Sequence, residues 1–178
     1  TLKSGIWMTA TLEGKEFSPE KISSAVRISL SESHFYSIQV DNLLASLDFE
    51  EETFTIDSFR VQTASANLTA EGIYSFNSPS DLKIMGHFKD LREFRDFLPL
   101  EGLKTSGEIN ARIQGRPDDL AIQSILRVNK SRFKDYALQR LILDMEGKIT
   151  SADTSVTAEL KVHNLTDGNL TIDSMNAR

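Results

Sequence analysis

Apolar and polar residues alternate along almost the whole chain with a period of two. In segments 82–89, 108–114 and 156–163, every second position is aliphatic, Phe, Ala or Gly, and most of the positions between them are charged or polar. This alternation is typical of a β-strand with one apolar face. Gly and Asp residues that favour turns interrupt the pattern at intervals. Together they predict about a dozen short antiparallel strands. The turns are predicted at Glu13-Gly14-Lys15, Glu71-Gly72, Gln114-Gly115-Arg116, Glu146-Gly147-Lys148 and Asp167-Gly168-Asn169.

The strand pattern occurs twice in the sequence, and the second copy begins about 100 residues after the first. Segment 4–15 returns as 106–116, each copy reading Ser-Gly, an alternating strand, then Gly and a cation. Phe35 and Phe133 each precede a further strand, and segment 67–72 is echoed by 164–168. Conserved order at one offset indicates an array of repeats. We predict a first repeat over 1–105 and a second over 106–178, forming one continuous structure.

One segment departs from the strand period. Over residues 90–98 the apolar side chains fall at helical spacing, with Asp90 as a possible N-cap, Glu93 three residues later and Pro99 after the last turn. The pattern predicts one short amphipathic helix before the second repeat.

The predicted fold is therefore all-β: an elongated, curved antiparallel sheet, or trough, with one short helix. The alternation leaves two interpretations of the apolar face open. It packs on a second sheet as a sandwich core, or it lines an open trough that holds an apolar ligand. For the trough, the period assigns these lining residues: Ile6, Met8, Leu12, Val26, Ile28, Leu30, Leu43, Leu47, Phe54, Ile56, Leu68, Leu82, Ile84, Phe88, Ile109, Ile113, Leu126, Val128, Leu141, Leu143, Met145, Val156, Leu160, Val162, Leu170 and Ile172.

The composition excludes several classes of function but does not identify one. The formal net charge is −6, and the 20 Lys and Arg residues are scattered without a basic stripe, which argues against nucleic acid as a partner. No Cys is present, so thiolate chemistry and disulfides are excluded. No apolar run approaches the roughly 18 residues of a membrane helix. The chain begins at Thr1, which favours a fragment of a longer protein.

No catalytic or metal-binding constellation emerges from the sequence. His34, His87 and His163 fall in different predicted strands, without a second ligand at metal spacing. The acidic runs at 48–52 and 118–119 match neither a calcium loop nor a glycosidase carboxylate pair. We expect neither an enzyme nor a bound metal or cofactor.

The order of the second repeat resembles the TamB and AsmA-like family of diderm bacterial envelope proteins. The resemblance rests on Ser106 to Pro117, on the Phe133-x-x-Tyr136-x-Leu138-x-x-Leu141 pattern, and on Gly147 and Asn164-Leu165. Segments 81–84 and 90–99 resemble the connection between repeats in that family. The first copy departs from the pattern, because Glu16 follows Lys15 where Pro117 follows Arg116.

The resemblance implies a periplasmic location in a protein anchored in the inner membrane. It also implies an apolar interior that carries phospholipids between the inner and outer membranes, in support of outer-membrane biogenesis. An outer-membrane barrel protein is the expected partner of TamB-type members. The alternative function is a β-sandwich binding or adhesin module that recognises a glycan or a protein. Such a module would have a closed core and usually a Trp- or Tyr-rich binding patch. This chain has 1 Trp and 3 Tyr, so such a patch is not supported.

Overall fold

The described part of the chain folds into a single antiparallel β-sheet. The computed structural model describes residues 8–15, 23–35, 38–90, 104–167 and 169–177. The sheet has 11 strands, and each strand pairs with those before and after it in sequence. The strands are β1 (Met8–Lys15), β2 (Ser23–Phe35), β3 (Ile38–Glu50), β4 (Thr53–Thr63), β5 (Ala66–Ser75), β6 (Ser80–Phe88), β7 (Lys104–Arg116), β8 (Asp119–Phe133), β9 (Tyr136–Thr150), β10 (Thr154–Thr166) and β11 (Thr171–Ala177).

This arrangement confirms the prediction of an all-β, antiparallel fold. Several connections are two-residue hairpins, which join only antiparallel neighbours and so produce the up-and-down order. The sheet is open, with β1 and β11 at its two edges. The predicted helix over 90–98 lies outside the described residues except for Asp90, and the described ranges contain no helix.

The predicted glycine turns are only partly right. Asp167 lies in the connection from β10 to β11, as expected, but Gly72 and Gly147 lie inside β5 and β9. At Gly72 φ is +129°, and an added Cβ would lie 2.1 Å from the carbonyl oxygen of Asp81. The glycine there permits a close approach of two strands and does not mark a turn.

A β-bulge in β4 keeps apolar side chains on one face. Ile56 and Phe59 are three residues apart, so uninterrupted alternation would place them on opposite faces. The register shifts between them, and Asp57 becomes the extra residue opposite β3. Ser46 donates a hydrogen bond from Oγ to Asp57 Oδ2 at 3.1 Å. Because the bulge absorbs one residue, Ile56 and Phe59 share a face.

One of the repeated sequence segments occupies non-equivalent positions in its two strands. Asn67 to Thr69 lie at the start of β5, whereas Asn164 to Thr166 form the end of β10. This pair therefore does not support the predicted repeat.

The hairpin between β3 and β4 turns through two glutamates with left-handed backbones. Glu51 has φ of 44° and Glu52 has φ of 61°. Two-residue hairpins of this kind favour Asn-Gly, because a side chain with a Cβ is strained at positive φ. Three successive acidic residues, Glu50 to Glu52, also repel one another there.

Replacing both turn residues, Glu51→Asn with Glu52→Gly, should stabilise the protein by about 1 kcal/mol, because the new residues tolerate positive φ. Thermal unfolding would measure the gain as a higher Tm. The control is Glu50→Asn, which removes one of these charges from the end of a strand and should give no comparable gain. A double variant no more stable than the control would contradict the strain assigned to this turn.

Candidate apolar binding face

Cross-strand pairing aligns apolar positions from all 11 strands on one side of the sheet, here called the apolar face. Residues directly opposite each other in neighbouring strands point to the same side, so the register defines rows that run across the sheet. The central row is Ala10, Ile28, Ala45, Phe59, Ala70, Ile84, Ala111, Ser124, Met145 and Ala158.

Two flanking rows contain most of the branched aliphatic side chains. One row is Val26, Leu47, Ile56, Gly72, Leu82, Ile113, Ile122, Gly147 and Val156. The other is Met8, Leu30, Leu43, Val61, Leu68, Gly86, Ile109, Leu126, Leu143, Leu160 and Ala177. None of the three rows contains Asp, Glu, Lys or Arg among the described residues.

Most of the lining residues predicted from the sequence fall on this face. Phe54, Phe88, Val128, Leu141 and Val162 continue its pairing beyond the three rows. The remaining predicted residues stand in the rows given above, apart from four.

Those four residues are placed differently or are not described. Ile6 lies outside the described residues, and for Leu12 only the backbone is described, paired with Val26. Leu170 precedes β11. Ile172 is three positions before Met175, so strand alternation places it on the side opposite to Met175.

The prediction also missed several members of the face. Phe59 and Val61 were missed because the bulge at Asp57 reverses the parity of β4. Phe49 and Ile122 have the same parity as Leu47 and Leu126, so simple alternation could have found them.

Within the described ranges, the side chains of the apolar face are shielded only by one another. In the described residues, Ala45 and Val162 are the only buried hydrophobic side chains, at 6% and 5% exposure. Most other members of the face are half-buried, and exposure rises toward the sheet edges, reaching 61% at Met8 and 70% at Val156. A closed sandwich would bury many more side chains, since its core is packed from both sides. The described strands all belong to one sheet, so they do not supply a second layer.

An aromatic cluster stands at one end of this face, beside the hairpin of β3 and β4. The Phe49 and Phe54 ring centroids are 4.5 Å apart, and Phe76 meets Phe54 at 5.9 Å and Tyr74 at 5.4 Å in edge-on contacts. The Phe76 N–H donates to the Glu52 carbonyl at 3.0 Å, which ties the segment after β5 to the hairpin. The cluster extends the apolar surface to the ends of these strands.

The opposite side of the sheet, here called the polar face, carries cross-strand ion pairs. Arg112 binds Asp81 through two bonds, Nε to Oδ1 at 2.8 Å and Nη2 to Oδ2 at 2.6 Å. Arg127 pairs with Glu108 at 3.0 Å. The hydrogen bond from Arg112 lowers the pKa of Asp81, because it favours the ionised carboxylate. These solvent-accessible pairs contribute little energy each, but they give this face its charged character.

The described residues contain no metal centre. Within those ranges, no three His, Asp or Glu side chains come together in a way that could hold a metal ion. No helix long and apolar enough to span a membrane occurs in the part of the chain that the structure describes. A cavity of about 710 Å³ lies across β3 to β8, with a lining of mixed polarity that includes His87, Lys89 and Glu108.

Comparison with protein-family models, curated proteins and solved structures found no match to this chain. The described residues nevertheless define a structural class. It is an open, single-layer antiparallel sheet with one uncharged apolar face and one ion-paired polar face.

The pair between Arg112 and Asp81 gives a test of the polar face. Arg112→Gln should raise the pKa of Asp81, because the bond that favours its ionised form is lost. The pKa of Asp81 is depressed in the folded state, so its contribution to stability is present near neutral pH and fades as the pH falls through that pKa. NMR titration of the carboxyl resonance measures the shift. Arg60→Gln, an exposed cation on β4, should leave Asp81 unchanged; an unmoved titration in Arg112→Gln would refute the pairing.

Proposed function

We propose that this sheet is a segment of a hydrophobic groove that holds the acyl chains of phospholipids. The observation that carries the proposal is the contiguous, uncharged apolar face, which runs across 11 strands without a second layer among the described residues. A soluble protein rarely leaves an apolar patch larger than a few hundred Å² uncovered. A ligand with apolar chains would cover it.

The energetics of lipid transfer suit such a surface. Each methylene exposed to water costs about 0.8 kcal/mol, so a tail of about 16 carbons costs on the order of 12 kcal/mol. An aliphatic face that covers the tail removes much of that cost and leaves the headgroup in water. Eleven strands spaced about 4.8 Å apart would give a path of roughly 50 Å across the sheet.

Two further observations support a curved array of repeats. The hairpins of β2 with β3 and of β8 with β9 correspond at a constant offset of 98 residues, with Phe35 opposite Ile38 and Phe133 opposite Tyr136. Glu32 and Lys130, at the same offset, both have positive φ, 48° and 51°. The half-buried state of most of the apolar face favours curling around its interior, because a flat single layer would expose these side chains more fully.

The wider setting remains part of the proposal and rests on the resemblance to the TamB and AsmA-like family. In that setting the chain is a periplasmic segment of a membrane-anchored bridge that conducts phospholipids between the two membranes, and an outer-membrane barrel protein is its partner. The protein would have no catalytic role and no cofactor. The β-sandwich binding module is less well supported, because all the described strands belong to one sheet.

The direct experiment is to titrate the purified protein with a fluorescent fatty acid and to analyse copurifying lipid by mass spectrometry. We expect saturable binding. Ile113, half-buried between Leu82 and Ile122, is the position to alter. Ile113→Asp should weaken acyl-chain binding about tenfold or more, because it places a carboxylate on the apolar face. Since that face is open, the fold should lose only about 1–2 kcal/mol.

The matched control is Ala121→Asp, which adds the same charge to an exposed position of β8 near Lys148 on the polar face. It should bind the probe as the unaltered protein does. Unfolding of Ile113→Asp, with Ala121→Asp still folded, would favour a closed core over a groove. The absence of saturable binding by the unaltered protein would refute the proposed function.

A further inference from the structure

Aromatic rings gather at one end of the apolar face, where β3, β4 and β5 meet their turns. Phe49 of β3 is directly opposite Phe54 of β4, and Phe54 is directly opposite Tyr74 of β5. Residues directly opposite each other point to the same side, so the three rings form one row of the apolar face. Phe76, which follows β5, packs edge-on against Phe54 and Tyr74. We call Phe49, Phe54, Tyr74 and Phe76 the aromatic end.

Two of these rings leave much of their surface open. Phe54 is 41% exposed and Phe76 is 51% exposed. Their ring planes are inclined by 67°, so the exposed faces are turned toward different directions. The ring–ring contacts found among the described residues all belong to this cluster. The aromatic end is therefore chemically distinct from the mainly aliphatic rows of the apolar face.

The ring faces of the aromatic end are not covered by a cation of the described chain. The cation–π contact within the described ranges lies elsewhere, between Lys134 and Phe133 at 5.4 Å. Segments 43–59 and 61–82, which contain the four rings, have no Lys or Arg. An aromatic face attracts a cation through the ring quadrupole. A cationic group of a ligand would therefore meet no competing cation of these segments at the rings.

A carboxylate stands beside the aromatic end, at the hairpin of β3 and β4. The Glu52 carbonyl accepts a hydrogen bond from the Phe76 N–H at 3.0 Å, and Glu52 Oε2 accepts one from Asn77 Nδ2. These two bonds hold Glu52 against the segment that carries Phe76. Glu50 and Glu51 add two further negative charges at the same hairpin. The rings and the local charge thus favour the same class of ligand group, a cation.

The aromatic end lies on the same side of the sheet as the aliphatic rows. Leu47 and Ile56 are directly opposite each other on the apolar face. Phe49 and Phe54 are paired on the same two strands in the same register, two residues further along. The two pairs are therefore on one side and about 7 Å apart along the strands. A lipid with its acyl chain on the aliphatic rows can place its headgroup at the aromatic end without crossing the sheet.

We propose that the aromatic end binds the ammonium group of a phospholipid headgroup, while the acyl chain of the same molecule lies on the apolar face beside Leu47 and Ile56. The ring faces supply cation–π attraction, and Glu52 supplies a counter-charge. The proposal rests on the proposed function and adds which headgroup chemistry is held and at which end of the face.

The test compares four probes by titration calorimetry below their micelle concentrations. Lauroyl-lysophosphatidylcholine has a tail, a phosphate and an ammonium group, and lauroyl-lysophosphatidylglycerol has the same tail and phosphate without the ammonium group. Monolauroylglycerol has the tail with an uncharged head, and glycerophosphocholine has the headgroup without a tail. We expect the choline lysophospholipid to bind about tenfold more tightly than the glycerol lysophospholipid.

The first variant replaces the two exposed rings with aliphatic side chains, Phe54→Leu together with Phe76→Leu. It removes the π faces but keeps an apolar surface and the net charge, so the preference should fall to about threefold or less. Binding of monolauroylglycerol should be largely retained. The matched control is Phe59→Leu, the same substitution in the central row of the apolar face, and it should keep the full preference.

The second variant tests the carboxylate and leaves every ring in place. Glu52→Gln removes the charge but keeps an oxygen that can accept from Asn77, and it should lower the preference about threefold. The matched control is Glu146→Gln, which removes an exposed carboxylate of the polar face with the same change in net charge. It should leave the preference unchanged. Because Glu52→Gln keeps the aromatic packing, it tests the site even where the double Leu variant unfolds.

The possible failures are distinguishable. If the unaltered protein binds both lysophospholipids equally, the headgroup site is refuted while the groove stands. If the folded double Leu variant keeps the full preference, long-range repulsion of the anionic probe explains it and the aromatic site is wrong. If glycerophosphocholine binds as tightly as the choline lysophospholipid, the site is one for water-soluble choline compounds and the lipid proposal fails. If no probe with a tail binds, the proposed function itself fails.

Discussion

The structure depends on keeping the period-two alternation in phase across many strands. A one-residue slip between any two strands would transfer every later apolar side chain to the other side of the sheet. The pairing shows no such slip through the centre of the sheet: Ala10 in β1 and Ala158 in β10 belong to one row. Where the spacing of apolar residues departs from two, as between Ile56 and Phe59, a bulge compensates.

This phase relation gives the sheet two chemically distinct sides. The polar face holds charged pairs such as Arg112 with Asp81, which remain hydrated. The apolar face has direct aliphatic contacts between strands, but the described strands supply no second layer of the kind that normally completes a domain. Cross-strand contacts and backbone hydrogen bonds must therefore supply most of the stability of the described sheet. Because its side chains are only partly buried, the apolar face stays accessible at the surface of the described sheet.

Much of this architecture could be predicted from alternation alone, because the two-residue period of a strand can be seen directly in the sequence. The all-β class, the antiparallel pairing and most of the face could be predicted in this way. The turns were harder, because glycine serves two purposes: Gly72 permits a close approach of two strands, although the same residue commonly marks turns. Bulges were not predictable, since Asp57 has no feature that distinguishes an extra residue from an ordinary polar position.

The pairing of two cations, Lys104 and Arg132, was missed for a different reason. Lys104 is 28 residues before Arg132 in the sequence, and only the register of β7 with β8 places them opposite each other. Composition and linear charge patterns do not contain that information. A negatively charged chain can therefore hold a local pair of cations, and its net charge describes its long-range field better than its local chemistry.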